Sequence, residues 1–325
     1  MRFSIIIPVY NRPAEVQLLL ESLCRQTFND FEVVLVEDGS DHTAEEVAAA
    51  FSEKLQLQYH YQSNQGQGFA RNKGMELAKG QYFVFFDSDC LIPPRYLEVL
   101  EQAIQSRQLQ AHGGPDDADA TFSDWQQAMN FSMTSLLTTG GIRGKMKDPA
   151  KYQARGYNMG FSREVYEKLG GFAHPNMAED IEISLRIKKA GFRLELVSEA
   201  FVYHHRKNDL ASFLRQSYQF GRNRVFIRRF HPDALKPVHL LPALFLLGIL
   251  ALPVLAWLWP TGALLIGAGY VLWTMALFVT ALGSPKVAFL SLLTSYGQLL
   301  AYGLGVIMEC IFPTPWKSSP QIPAD

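Results

Sequence analysis

The feature that most constrains this 325-residue chain is a stretch without charge: between Lys236 and Lys286 there is no Asp, Glu, Lys or Arg. Ordinary soluble domains carry roughly a quarter of their residues as charges, and the run is long enough for two membrane-crossing helices of about 20 residues. Val238 to Trp259 and Gly262 to Leu282 are the expected spans, joined by a Trp-Pro-Thr-Gly turn, with Trp257, Trp259 and Trp273 suited to interfacial positions. Val287 to Phe312 is a third candidate, interrupted by Ser291, Thr294, Ser295, Gln298 and Glu309, which are expected to face neighbouring helices. Two or three crossings both remain open. The alternative, an apolar hairpin buried inside a soluble protein, requires a chain of this size to hide an unusually long uncharged run.

The net charge of -1 conceals a split. Residues 1–203 carry 20 basic and 27 acidic side chains, a net of -7; residues 204–236 carry 8 and 2, a net of +6; residues 237–325 carry two of each. Such a balance argues against a general nucleic-acid-coating protein, and no nucleic-acid partner is expected. The basic collar stands directly before the first apolar run, so the rule that Lys and Arg stay inside predicts a multi-pass protein of the cell's inner membrane. The soluble part then lies on the cytoplasmic side, with anionic lipid beside the collar. Cys24, Cys90 and Cys310 are far apart, without CxxC spacing, and read as free thiols in a reducing compartment. The apolar run Phe3 to Val9 is short and lacks a small-residue cleavage site, so it reads as a first strand rather than a secretion signal.

Ahead of the collar, FSIIIPV at 3–9, FEVVLV at 31–36, LQLQYHY at 55–61 and YFVFF at 82–86 read as strands. Helical spacing fills the gaps at Pro13 to Arg25, Thr43 to Phe51 and Gly68 to Lys79. Strands alternating with helices predict an α/β fold with a mostly parallel, Rossmann-like sheet, whose ligands bind at the carboxyl ends of the strands. Residues 116–154 are mixed and polar, with a loop at Gly140, Gly141 and Gly144. A helix over Glu179 to Ala190, a strand over Arg193 to Tyr203 and a basic amphipathic helix over Asp209 to Arg229 complete the reading.

Five constellations stand at strand or helix ends. Asp87-Ser88-Asp89 puts two carboxylates on one turn, able to share a divalent cation through oxygen, or simply to cap their own turn. Glu37-Asp38-Gly39-Ser40 offers a short carboxylate for a ribose or base edge, and is equally ordinary turn chemistry. In Asn64-Gln-Gly-Gln-Gly68 the glycines permit close backbone approach, and Arg71 beyond them can fork onto a phosphate or pair with an acid. Glu179 and Asp180 open a helix, where acids also occur for dipole reasons alone. Val202-Tyr-His204-His205 ends a strand, where a His is either structural or a divalent-metal ligand.

Taken in order, SIIIPVYNR, VEDGS, NQGQGFARNKG, FDSDC, GGF followed by AEDIEISLRIKKAGF, and VYHHR resemble the family 2 glycosyltransferases, inverting enzymes with the GT-A nucleotide-sugar-binding fold. The resemblance implies a catalytic domain over residues 1–230 and a collar with two to three transmembrane helices over 231–325. It implies that Pro8, Tyr10, Glu37, Asp38, Arg71, Asp87, Ser88 and Asp89 surround a nucleotide sugar. Asp87 and Asp89, with His204, would hold Mg²⁺ or Mn²⁺, and Asp180 would be the general base. Asn158 and Glu179 are weaker candidates for the acceptor side. The implied donor is a UDP-sugar first, with GDP or TDP as alternatives, and the implied acceptor a lipid-linked or envelope glycan. Cys90 departs from relatives that carry another polar residue there. Gln216 to Arg224 (QSYQFGRNR) contains no Gln-x-x-Arg-Trp, the motif of processive polymer synthases, which favours single-sugar transfer. A processive synthase and a catalytically silent sugar-nucleotide-binding scaffold are the competing readings.

Overall fold

The computed structural model describes residues 1–117, 123–140, 149–204, 209–281 and 283–315, without the side chains of Asp117, Lys151 and His204. The described chain divides into two compact units, residues 1–117 with 149–204 and residues 123–140 with 209–315.

The first unit opens with β1 (Phe3–Val9), α1 (Pro13–Leu23), β2 (Phe31–Asp38), α2 (Glu45–Phe51), β3 (Leu57–Gln62), α3 (Gln67–Leu77) and β4 (Tyr82–Phe86). It continues with β5 (Cys90–Leu91), α4 (Tyr96–Arg107), β6 (Ala111–Gly113) and β7 (Asp116–Asp117). The second unit then contributes α5 (Asp124–Thr134) and α6 (Leu136–Thr139). Back in the first unit come β8 (Asn158–Ser162), α7 (Arg163–Leu169), α8 (Glu179–Lys189), β9 (Leu194–Leu196) and β10 (Val202–His204). The chain ends in the second unit with α9 (Leu210–Phe226), α10 (Leu241–Leu258), α11 (Pro260–Thr280) and α12 (Pro285–Ile311).

Seven strands form one sheet in the order β3-β2-β1-β4-β8-β6-β9. The first four are parallel, β8 runs antiparallel to both β4 and β6, and β9 is parallel to β6. The mostly parallel α/β sheet expected from the alternating pattern is therefore present. Ile6 stands opposite Val34 on one side and Phe85 on the other, which locks the central register. Successive side chains point to opposite faces. Ile5, Ile7, Val33, Leu35, Val84 and Phe86 thus build one core layer with α1, α2 and α4. Ile6, Val34, Phe83 and Phe85 build the other with Ala70 and Met75 of α3, Val165 of α7 and Ile183 of α8. A smaller sheet, β5-β10-β7, lies beside the end of β4.

A neutral hydrogen-bond chain pins the middle of the large sheet. Tyr96 Oη donates to Asn158 Oδ1 at 2.5 Å, so its oxygen is left to accept from His112 Nε2 at 3.1 Å, and His112 Nδ1 accepts from Tyr82 Oη at 3.0 Å. Burial holds the His112 imidazole neutral by lowering its pKa to about 3.

Two expectations are corrected. The single strand expected over Arg193 to Tyr203 is two short strands in different sheets, because Ala200 N donates back to Val197 O across a Ser198-Glu199 turn. The mixed segment 116–154 contains a regular helix, α5, started by a capping box in which Ser123 Oγ accepts from Gln126 N and the Gln126 amide accepts from Ser123 N. Of the expected Gly-rich loop, Gly140 ends α6 with φ of 66°, and Gly141 and Gly144 lie outside the described residues.

In the second unit, α10, α11 and α12 are each long and apolar enough to cross a membrane. Their surfaces differ: α10 and α11 expose Leu244, Leu247, Leu250, Trp257, Leu264, Leu265 and Leu272, whereas α12 buries Ser291, Thr294, Ser295, Gln298 and Glu309. Three of them, Thr294, Ser295 and Glu309, meet groups outside α12. Ser132 Oγ of α5 lies 2.6 Å from Thr294 Oγ1 and 3.1 Å from Ser295 Oγ. Glu309 accepts from Arg222 Nη2 at 2.8 Å, Arg229 Nη2 at 2.9 Å and Thr314 N at 2.8 Å. Between α9 and α12 the backbones come within touching distance. A Cβ on Gly221 would lie 2.1 Å from the Tyr302 carbonyl and one on Gly305 2.1 Å from the Tyr218 carbonyl.

Candidate functional site

The carboxyl ends of β1, β2 and β4 bring the first group of expected residues together. Pro8 is half-buried near the end of β1 and Tyr10 beyond it is 51% exposed. Asn11 is in the left-handed conformation (φ 55°), which lets its amide Oδ1 accept from Asp41 N and His42 N, each at 2.9 Å. The loops after β1 and β2 are thereby held against each other.

Glu37 and Asp38, adjacent in sequence, do different work. Glu37 has no exposed surface and accepts from Ser40 Oγ, from Ala44 N at 2.7 Å and from Tyr59 Oη at 3.3 Å, so its carboxylate shapes the turn before α2. Asp38 accepts from Gln62 Nε2 at 2.8 Å, Gln65 N at 2.9 Å and Gly66 N at 2.8 Å. It ties β2 to the glycine loop. Gly66 requires its left-handed φ of 93°, and a Cβ there would press on Pro175 and Asn176. Gly68 N donates to Pro175 O at 2.7 Å, so the segment leading into α8 is fastened onto the start of α3.

Arg71 is the centre of the second group. Its side chain is 1% exposed; Nη2 donates to Asp87 Oδ1 at 2.7 Å and Nη1 to Glu179 Oε1 at 3.1 Å. Its guanidinium carbon lies 5.4 Å from the Phe172 ring centroid. Gln67 Nε2 also donates to Glu179 Oε1, at 2.6 Å. Of the two roles open to Arg71 from the sequence, pairing with an acid is the one present, and with two acids rather than one. Asp87 is 31% and Asp89 13% exposed, and Arg12 Nη1 donates to Asp89 Oδ2. Ser88 between them is buried.

Glu179 is 4% exposed, and its carboxyl pKa is raised because burial and the adjacent Asp180 charge outweigh the pull of Arg71. Asp180 is half-buried and accepts from Ile181 N at 2.7 Å and Gly156 N at 3.3 Å. Arg71 feels Asp87, Glu179 and Asp180 at once, so the Asp-x-Asp turn and the start of α8 share one electrostatic field. Four carboxylates thus stand against the two guanidiniums of Arg12 and Arg71. An excess of carboxylates with hard oxygen donors favours a divalent cation and a base.

Asn158 does not join this group. It is fully buried, accepting from Tyr96 Oη and donating to Ala200 O at 2.9 Å and Pro115 O at 3.2 Å, so its amide pins three segments. The backbone of His204 pairs with Cys90 one residue beyond Asp89, and its side chain lies outside what is described. The sequence reading missed Arg12, Gln67 and the Gly156 amide. Arg12 carried a signal, a cation three residues past the end of β1, where the neighbouring strand ends carry acids.

Hard-cation chemistry fits the donor set of Asp87 and Asp89, two carboxylates on one turn. Among the described residues no three His, Cys, Asp or Glu side chains gather closely enough to hold a cation by themselves. A cation here would need oxygens from a ligand as well.

Comparison with known proteins bears on the family and the fold. Residues 4–170 match the model of glycosyl transferase family 2. The chain is 38% identical over 99 residues to a putative glycosyltransferase, EpsH, of Bacillus subtilis, covering 30% of this chain and 28% of that protein. With glycosyltransferase AglE of Haloferax volcanii it shares 25% identity over 262 residues, 77% of this chain and 82% of the other. The matches to EpsH and to YibD of Escherichia coli span less than a third of those proteins' lengths. Among solved structures, the mannosyltransferase PcManGT of Pyrobaculum calidifontis, in complex with GDP-Man and Mn²⁺, has a similar fold. Its TM-score is 0.61 at 20% identity, covering 97% of this chain and 88% of that one. Residues 1–349 of S. aureus TarS in complex with UDP give 0.50 at 19%, covering 69% and 66%.

Proposed function

This chain belongs to glycosyl transferase family 2, and we propose that it moves one sugar from a nucleotide-sugar donor to a hydroxyl of a lipid-linked or envelope glycan, with inversion and with Asp180 as general base. The observation that carries the proposal is the Arg71 bridge, which joins the Asp-x-Asp turn to the helix start bearing Glu179 and Asp180. Leaving group and base must act on opposite sides of one anomeric carbon, and a rigid tie between their supports sets that spacing.

Pro8, Tyr10 and Asp38 line the nucleoside end of the donor, with Glu37 shaping the loop beneath. Asp87 and Asp89, with Ser88 between them and His204 beyond, receive the diphosphate, and they would hold Mg²⁺ or Mn²⁺, which supplies charge neutralisation on the departing nucleotide. Arg71 itself is covered, so its part is to hold Asp87 and Glu179 rather than to touch phosphate. Asp180, more open than Glu179, takes the proton of the acceptor hydroxyl as the new bond forms. Glu179 sits beneath it on the acceptor side. Donor binding by structural neighbours, UDP in one and GDP-Man in another, supports the nucleotide-sugar class, with UDP-sugars our first choice and GDP or TDP sugars next. The exposed apolar α10–α11 hairpin and the basic residues before it support an inner-membrane location with the catalytic unit on the cytoplasmic side.

The test is nucleotide release from a panel of UDP, GDP and TDP sugars by the full chain in membranes, with Mg²⁺ or Mn²⁺ and extracted lipid acceptors. Release with one donor class and an acceptor grown by one sugar is expected. Chains of added sugar would instead indicate a processive synthase, and donor binding without transfer by any acceptor a silent scaffold.

A further inference from the structure

Length and hydropathy make α12 a third crossing, but its contacts within the second unit do not. We infer that α12 lies along the membrane surface, its outer stripe resting on lipid, and that the α10–α11 hairpin alone enters the bilayer core. The hairpin has its tip at Trp259 and its open end at Leu241 and Thr280. At about 1.5 Å per residue, a crossing helix starting at Pro285 would carry Gly303 roughly 27 Å along the hairpin, to the level of the tip. Gly303 is instead at the open end, where a Cβ on it would lie 2.4 Å from the Pro242 carbonyl. Tyr296 is likewise near that end, with ring centroids 5.7 Å from Phe245 and 5.1 Å from Trp273 and its hydroxyl 2.5 Å from Thr274 Oγ1. The axis of α12 therefore runs across the base of the hairpin.

Two further observations agree. Helix α9 follows α12 in the same direction, with Leu214 at Gly297, Gly221 at Tyr302 and Arg222 at Glu309. Its outer face exposes Arg215 and Gln219. In a vertical α12 that face would be carried through the hydrocarbon, where an exposed Arg is strongly disfavoured; in a horizontal one it meets water. On α12 itself the most exposed apolar side chains are Phe289, Leu293, Leu304 and Ile311, 45–59% exposed. At 100° per residue they fall within about 60° of one another, opposite the buried Ser291, Ser295, Gln298 and Glu309. A continuous apolar stripe backed by a covered polar face is the pattern of a helix lying in the interface.

The two arrangements put the end of α12 on opposite sides of the membrane. Cys310 at that end is exposed, Cys24 in the first unit is exposed and Cys90 is buried. With the full chain in bacterial membranes, Cys24→Ser leaves Cys310 for a membrane-impermeant maleimide, and Cys310→Ser leaves Cys24 as the marker of the catalytic side. A third protein, Cys24→Ser/Cys310→Ser/Pro315→Cys, reports from the chain just past the helix. Labelling of Cys310 and of the cysteine at 315 from the same side as Cys24 is expected, in spheroplasts or inverted vesicles as the case is. Labelling of the cysteine at 315 only from the opposite side would overturn the inference. The readout is independent of activity and does not depend on the proposed reaction.

Discussion

Each unit of this protein buries an ion cluster, and the two are built the opposite way round. In the first, one guanidinium, Arg71, stands between two carboxylates, with Asp180 close by; in the second, one carboxylate, Glu309, stands between the guanidiniums of Arg222 and Arg229. Glu309 is further satisfied by the Thr314 amide and hydroxyl. Its arginines keep 24% and 33% of their side-chain surface, so the surplus positive charge reaches solvent. The Arg71 cluster keeps its surplus negative charge and leaves Arg71 Nε, buried, without a hydrogen-bond partner among the described residues. A cluster whose one carboxylate is fully satisfied is closed and fastens helices; one with carboxylates in surplus is open and poised to take a cation or a proton.

That contrast can be broken by experiment. The largest effect is expected from Arg71→Met, which strands two acids in the first unit; removing one partner of a buried ion pair costs about 3–5 kcal/mol. Thermal unfolding of the full chain in detergent should show the loss, and adding Glu179→Gln should restore part of it without restoring transfer. A single mutant as stable as the parent would mean that the bridge is not a support.

Asp180→Asn comes next. Loss of a general base lowers turnover by about 10²–10⁴-fold, whereas donor affinity in a nucleotide-binding assay should stay the same. Near-parental turnover would take the base role away from Asp180.

Glu309→Ala should cost less than Arg71→Met, about 1–3 kcal/mol, because Arg222 and Arg229 can rehydrate. An equal or larger loss in the same unfolding assay would abolish the distinction between closed and open clusters.

The smallest effect concerns the uncharged pin between Tyr82, His112 and Tyr96. Native His112 stays neutral down to a pKa of about 3, whereas in the unfolded chain it charges near 6.5. The unfolded state therefore binds more protons in that window, and stability falls as pH falls. Between pH 6.5 and 5 the loss from this group is about 1–2 kcal/mol. His112→Asn should flatten that limb of the stability profile, and an unchanged slope would place the acid sensitivity elsewhere.

Much of the fold was legible because its signals are local. The parallel run β1 to β4 follows from four apolar segments with helical spacing between them, and α12 announced its buried face through five polar interruptions. Asp87, Asp89 and Asp180 were singled out by their places at strand and helix ends together with the family resemblance, and the structure brings Asp87 and Asp180 into the field of one arginine, Arg71. What stayed hidden depends on partners distant in sequence. An early-helix arginine suits phosphate or carboxylate equally well until Asp87 and Glu179 arrive from 16 and 108 residues away. Asn158 reads as a polar residue near a pocket until β8 inserts between β4 and β6 and closes over it. The direction of α12 has no signature in hydropathy, because a helix lying on lipid and one crossing it can share length and composition.

All seven strands of the large sheet lie within residues 3–196, ahead of the first apolar helix at Leu241. Because domains tend to fold in order as the chain is synthesised from its N-terminus, the ribosome has delivered every strand of that sheet before the hairpin is made. The order of synthesis alone thus separates folding of the sheet from insertion of the hairpin, and the slow pairing of parallel strands can run its course without an exposed apolar tail to collapse upon.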